Sequence, residues 1–289
     1  MSFTSPLEDP PQESEQDDRH MRDNEEVVDQ QENHMPRCHP RTTPTGILFL
    51  RRVNILLLLS LILPGCLWTR GQHLEHIAIK TPLLESEYLI LGFMGGRDSW
   101  DDERQGVRKL ALRLRAEHLP GIHVETIENK KRRLAIELIR KAFDYNRNRE
   151  LDSREKQSAR IILYGQSFGG AAVVKLAGEL NKMGIPVLLT VQVDSIGRHD
   201  DVIPPNVARA ANLFQRNGIF IRGEPEIHAE DRTKTAIVGN FEFDYRNQEI
   251  DISHVPWFKK IFRVAHTRMD RDPEVWSKVE ELILTIVDR

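Results

Sequence analysis

A chain of 289 residues can hold one large α/β domain or two small ones, and its formal net charge of −3 supplies no basic excess for gripping nucleic acid. Nucleic acid is therefore excluded as the expected partner. The two cysteines, Cys38 and Cys66, are too few for a disulfide framework, so an apolar core must hold the fold.

Residues 1–45 are acidic and rich in Pro, Gln, Glu and Asp, with little apolar surface to offset the entropy of ordering, and are expected to be a disordered polar extension. Within them "HMPRCHP" offers His34, Cys38 and His39, but no complementary Cys/His pair follows at zinc-ligand spacing, so no metal site is expected. Residues 46–69 carry a different signal. "RRVNILLLLSLILPGC" sets two arginines before an uncharged apolar run and ends in small residues, the order of a secretory signal. The run is shorter than the roughly 20 residues that span a bilayer. The segment resembles a bacterial lipoprotein signal in which "LPGC" is the lipobox, which implies lipidation of Cys66 and a membrane tether. An uncleaved anchor and a buried apolar segment are the alternatives.

From 70 to 289 strand-like and helix-like patterns alternate, which predicts one doubly wound α/β domain, a mostly parallel sheet flanked by helices. "YLILGF" (88–93) has the continuous apolar character of a buried parallel strand. A helix follows, with Val107, Leu110, Ala111 and Leu114 on one face and a stop at Pro120 and Gly121. "IHVETIE" reads as a strand, and Asn129 as the cap of a helix that buries Leu134, Leu138, Ile139, Ala142 and Phe143. The pattern repeats with "RIILYGQ" as strand, "FGGAAVVKLAGELNKMG" as helix and "PVLLTVQVD" as strand. "PPNVARAANLFQRNG" places Val207, Ala210, Ala211 and Phe214 at helical spacing and is expected to be a helix. Two strands, "GIFIRG" and "TAIVGNFEFDY", should follow. The last helix opens with Asp272 as N-cap and Pro273 at its first position.

"IILYGQSFGG" joins a strand to a helix through Gly165-Gln166-Ser167-Phe168-Gly169. In such a Gly-x-Ser-x-Gly turn the glycines make room for a sharp reversal that lifts the serine hydroxyl above the sheet. On this motif and its context, over about 200 residues, the chain resembles the α/β-hydrolase superfamily of esterases, lipases, thioesterases and peptidases. The resemblance implies Ser167 as nucleophile, then an acid, then a histidine base, with no cofactor and no metal.

The base is expected between the last strand and the last helix, where His266 is preferred and His254 is the rival. For the acid, Asp194 closes a strand on the same edge of the sheet as Ser167, as in the pancreatic-lipase branch. Asp201, in a "DVIPP" stretch similar to fungal lipases, and Glu224 remain alternatives. The oxyanion hole implied by the resemblance uses the N–H of Phe168, with Phe93 as second donor from "LGFMGG", a stretch similar to the family's His-Gly-x loop.

No lid insertion separates the core elements. In "VPWFKKIF" (255–262), Trp257, Phe258, Ile261 and Phe262 could line an acyl pocket, touch a membrane or belong to the core. The expected activity is cleavage of a small ester or lipid at a membrane. The alternative from another class is a non-catalytic lipid- or protein-binding module.

Overall fold

The computed structural model describes residues 71–218, 221–248, 250–253, 255 and 264–288. The polar extension, the signal segment with Cys66, His254 and all of "VPWFKKIF" except Val255 lie outside the described residues.

A central strand, β1 (Tyr88–Met94), is buried at every position. The chain then runs through α1 (Gly106–Ala116), β2 (Ile122–Glu128), α2 (Arg132–Phe143), a short α3 (Ser153–Ser158), β3 (Arg160–Gln166), α4 (Phe168–Lys182) and β4 (Val187–Val193). Beyond β4 come β5 (Val202–Ile203), β6 (Val207–Phe214), β7 (His228–Ala229), β8 (Ala236–Glu242), α5 (Val264–Arg271) and α6 (Pro273–Val287). Six strands form one sheet in the order β2-β1-β3-β4-β6-β8, and every neighbouring pair in it is parallel. The short strands β5 and β7 pair in a second, two-stranded sheet.

Alternation along the strands sends side chains to two separate cores, as the period of two requires. Leu89, Leu91 and Phe93 of β1 pack with Leu138 and Ile139 of α2 and with Val173, Leu176 and Ala177 of α4. Tyr88, Ile90 and Met94 point the other way, toward Leu110 and Leu114 of α1 and Val275, Val279 and Ile283 of α6. Both faces are therefore covered, which is the doubly wound α/β arrangement.

The strand order also fixes where a site can form. The chain moves outward from β1 to β2, returns to the far side of β1 as β3, and moves outward again through β4, β6 and β8. Parallel sheets open a crevice beyond the carboxyl ends of the strands where the winding reverses, here between β1 and β3. Ser167 follows β3 directly.

Three expectations need correction. Residues 207–214 form strand β6 between β4 and β8, not a helix. A strand buried on both faces is apolar on both, so apolar residues at 207, 210, 211 and 214 fit either period, and pairing with β4 decided between them. The described part of "GIFIRG", Ile221–Gly223, is loop rather than strand. Asn129 caps no helix: Lys131 is the N-cap residue of α2, and the Asn129 side chain donates instead to the carbonyls of Met94 (3.0 Å) and Gly96 (2.7 Å). The short helix α3, with Asp152 as its cap, is an additional element that the sequence pattern does not announce.

Candidate active site at the strand ends

At the end of β3 the backbone of Ser167 turns with φ 60° and ψ −125°, a region that L-residues occupy only under strain of roughly 1–3 kcal/mol. Close approach explains the glycines on either side. A Cβ on Gly165 would lie 2.5 Å from the Gly169 carbonyl oxygen, and one on Gly169 would lie 2.0 Å from the Phe93 carbonyl oxygen. Gly170 is pressed against Ser195, whose Oγ would stand 2.7 Å from an added Cβ. Helix α4 thus starts hard against the ends of β1, β3 and β4, with Ser167 at its N-cap and only 4% exposed.

The neighbouring strand ends in a second unusual residue. Asp194 follows β4, has φ 43° and is wholly buried. Its carboxylate accepts from Gln215 Nε2 at 3.0 Å and from the Gln215 N–H at 3.4 Å. Gln215 is itself held, donating to the Ile221 carbonyl at 3.0 Å and accepting from the Gly218 N–H at 2.8 Å. These donors satisfy acceptor oxygens that would be costly to leave unpaired in a dry site.

His266 completes the group. It lies in the first turn of α5 rather than on a short loop ahead of Asp272, and is buried. Its Nδ1 stands 2.6 Å from Asp194 Oδ2. A carboxylate only accepts, so Nδ1 carries the proton and Nε2 is left as an acceptor. That nitrogen accepts from Gln166 Nε2 at 3.2 Å, which brings the imidazole to the residue immediately before Ser167. Among the described residues no hydrogen bond joins the Ser167 hydroxyl to this ring.

Helix α5 is held in place by contacts outside the site. Asp270 accepts from the Gly106 N–H at 3.2 Å and faces Arg271, and its carbonyl accepts from Trp276 Nε1 at 2.8 Å. Burial pushes the Asp270 carboxyl above its ordinary pKa, with Arg271 opposing. Tyr245 donates to Asp272 at 2.8 Å while its carbonyl accepts from Arg268 at 2.9 Å. Burial first, and then the Asp272 carboxylate, raise the Tyr245 phenol.

The other expected residues are placed as follows. Asp201 lies 4.0 Å from His228, and its carbonyl accepts from the His228 N–H, so it belongs to the β5–β7 corner and not to His266. Glu224 binds the Ser195 carbonyl through its N–H. Its carboxyl is shifted upward by burial and by the charges of Asp201 and Asp200, without contact to the imidazole. Phe168 is the first residue of α4, and its N–H is one of the donors that a helix start leaves without an intrahelical partner.

Phe93 does not fit its expected role. It lies inside β1, paired with Ile127 on one side and Gly165 on the other, which leaves its N–H within the ladder. The loop residue that meets the elbow is Gly95, where an added Cβ would sit 3.3 Å from Ser167 Cβ and 2.5 Å from Gln166 Oε1. Asn129 clamps this loop from both sides of Gly95. Gln166, Gln215, Gly223 and Asn129 were all missed as site residues. Only Gln166, inside the motif itself, carried any signal in the sequence.

Among the described residues no group of three or more His, Cys, Asp or Glu side chains could hold a metal ion. Nor, among them, is any helix long and apolar enough to cross a membrane. No protein-family model matches the chain, and no curated protein matches it. The parallel sheet with flanking helices is compatible with the α/β-hydrolase fold, and the residues at its strand ends carry the chemical reading that follows.

Proposed function

We propose that the chain is a serine hydrolase that opens a carboxylic ester or lipid through an acyl-enzyme on Ser167, held at a membrane by residues 46–69. The observation that carries this reading is the buried pair of His266 and Asp194, 2.6 Å apart, on the same sheet edge as a strained serine. In the first step Ser167 Oγ attacks the carbonyl carbon and passes its proton to His266 Nε2. Asp194 holds the tautomer and stabilises the imidazolium. The tetrahedral oxyanion is met by the N–H of Phe168 and by the N–H of Gly95, the first residue beyond β1. The imidazolium then returns the proton to the departing alcohol, and water repeats the sequence on the acyl-enzyme, releasing the acid and restoring Ser167. Before attack, Nε2 must exchange the Gln166 amide for the Ser167 hydroxyl, a shift between adjacent residues. Catalytic hydrogen bonds are commonly loose until substrate binds.

The competing reading, a non-catalytic binding module, draws on that same Gln166 contact, since an imidazole engaged by an amide is not acting as a base. A fluorophosphonate probe separates the two. Covalent labelling of the full chain in a membrane fraction, lost in Ser167→Ala and in His266→Ala, is the expected result. A folded chain that does not label would overturn the hydrolase.

A further inference from the structure

A cleft of about 270 Å³ begins at the elbow and runs along the first two turns of α4. Phe168, Ala171, Ala172 and Lys175 form its floor, the i, i+3, i+4 and i+7 positions of one helix face. Lys130 and Arg132 enter from the β2–α2 junction, and Arg198 from the loop after β4. The lining therefore holds four cations and no carboxylate, in a chain whose net charge is −3. Arg132 is balanced by Glu179 at 3.1 Å, whereas Lys130, Lys175 and Arg198 have no ion-pair partner among the described residues. The nearest buried carboxylate on this loop, Asp200, is taken up by the Ser195 hydroxyl and the Gly197 N–H.

Concentrating like charges in a concave surface raises the potential inside it and is unfavourable unless an opposite charge enters. The cleft opens beside Phe168, whose N–H is assigned above to the reacting carbonyl. An anion seated among Lys130, Lys175 and Arg198 would therefore belong to the same molecule as the scissile bond.

We propose that this cleft binds a carboxylate or phosphate carried by the substrate, so that the ester opened by Ser167 is an anionic one. The inference rests on the hydrolase reading for the word ester and on the cleft alone for the word anionic. Neutral triglycerides and simple alkyl esters are then poor substrates.

The test compares 4-nitrophenyl butyrate with mono-4-nitrophenyl glutarate on the full chain. The expected result is a kcat/KM for the glutarate ester about tenfold higher, a ratio that falls toward one in Lys175→Glu and in Arg198→Glu and shrinks as salt is raised. Lys109→Glu, on exposed α1 surface away from the cleft, should keep the wild-type ratio. Inhibition by inorganic phosphate more strongly than by acetate assigns the site to phosphate, and the reverse order assigns it to carboxylate. Equal turnover of the two esters, unaffected by either charge reversal, overturns the anion site and leaves the hydrolase standing. Absence of any turnover counts against the hydrolase instead. The cleft is then judged by calorimetric titration of inorganic phosphate into Ser167→Ala, where binding that Arg198→Glu does not weaken overturns it.

Discussion

The ends of β3 and β4 lie side by side, and each closes on a buried polar residue at positive φ, Ser167 at 60° and Asp194 at 43°. Their supports differ. Around Ser167 the turn itself is made by near neighbours, Gly165 pressing on Gly169 and Gly170, while Gly95, Phe93 and Ser195 close on it from outside. Around Asp194 they come from far along the chain: Gln215 supplies two donors, His266 a third, and Gly223 makes room for the carboxylate. One corner is a local motif. The other is assembled by the fold.

The largest effect expected of that comparison is chemical. Asp194→Asn keeps the shape of the side chain but can present an amide N–H to Nδ1, which favours the wrong tautomer of His266. Hydrolysis by this variant should fall about 10⁴-fold in kcat/KM, with KM little changed. Asp201→Asn, at the β5–β7 corner, should stay within a few-fold of the parent. If the two variants exchange behaviour, the acid has been placed at the wrong strand end.

The local corner was legible in the sequence because its geometric demands fall on neighbouring residues. Gly165, Ser167 and Gly169 are read together, and the strands and helix around them follow from apolar runs of the right length. The distant corner was legible only in its charged members. Asp194 and His266 stand out as ionisable groups at element ends. Gln215 and Gly223 have no such signature, since nothing in "FQRNG" or "IRGE" says that they meet the carboxylate of Asp194, far earlier in the chain. The misreading of 207–214 as helix has the same origin. Gln215 follows directly on β6, and the expected helix would have carried it away from the end of β4. Phe93 has a related history: strand β1 continues through Met94, one residue beyond the apolar run 88–93, and so keeps Phe93 inside the sheet.

A smaller, structural effect tests whether both corners are equally tight. Gly223→Ala would bring a methyl to 2.2 Å from Asp194 Oδ1 and 2.9 Å from Asp194 Cα, and Gly169→Ala would bring one to 2.0 Å from the Phe93 carbonyl oxygen. Both obstacles include backbone or a hydrogen-bonded carboxylate, so neither can swing aside. Each variant should lose about 1–3 kcal/mol, read as a lower denaturant midpoint at unchanged slope. Gly223→Ala should also depress hydrolysis, because it displaces the group that orients His266. A Gly223→Ala protein as stable as its parent would mean that the assembled corner is loose and that only the local one is rigid.

The smallest effect concerns the strain itself. At Ser167 the positive φ penalises any residue with a Cβ by roughly 1–3 kcal/mol, while glycine removes the penalty at an entropic cost of about 0.5–1 kcal/mol. Ser167→Gly should therefore be more stable than its parent, and than Ser167→Ala, by about 1 kcal/mol, although both variants lack the hydroxyl and neither labels with fluorophosphonate. At Asp194 the same exchange should run the other way. Asp194→Gly relieves the backbone but deprives Gln215 and His266 of their acceptor inside a dry site, a loss of about 1–3 kcal/mol for each orphaned buried group, so the variant should be less stable than its parent. Opposite signs at two adjacent strand ends, measured by denaturant unfolding, would show that strain at β3 is borne for the hydroxyl alone. The same geometry at β4 would then be held in place by its hydrogen bonds. Equal signs would mean that positive φ has one common cause in how these parallel strands end.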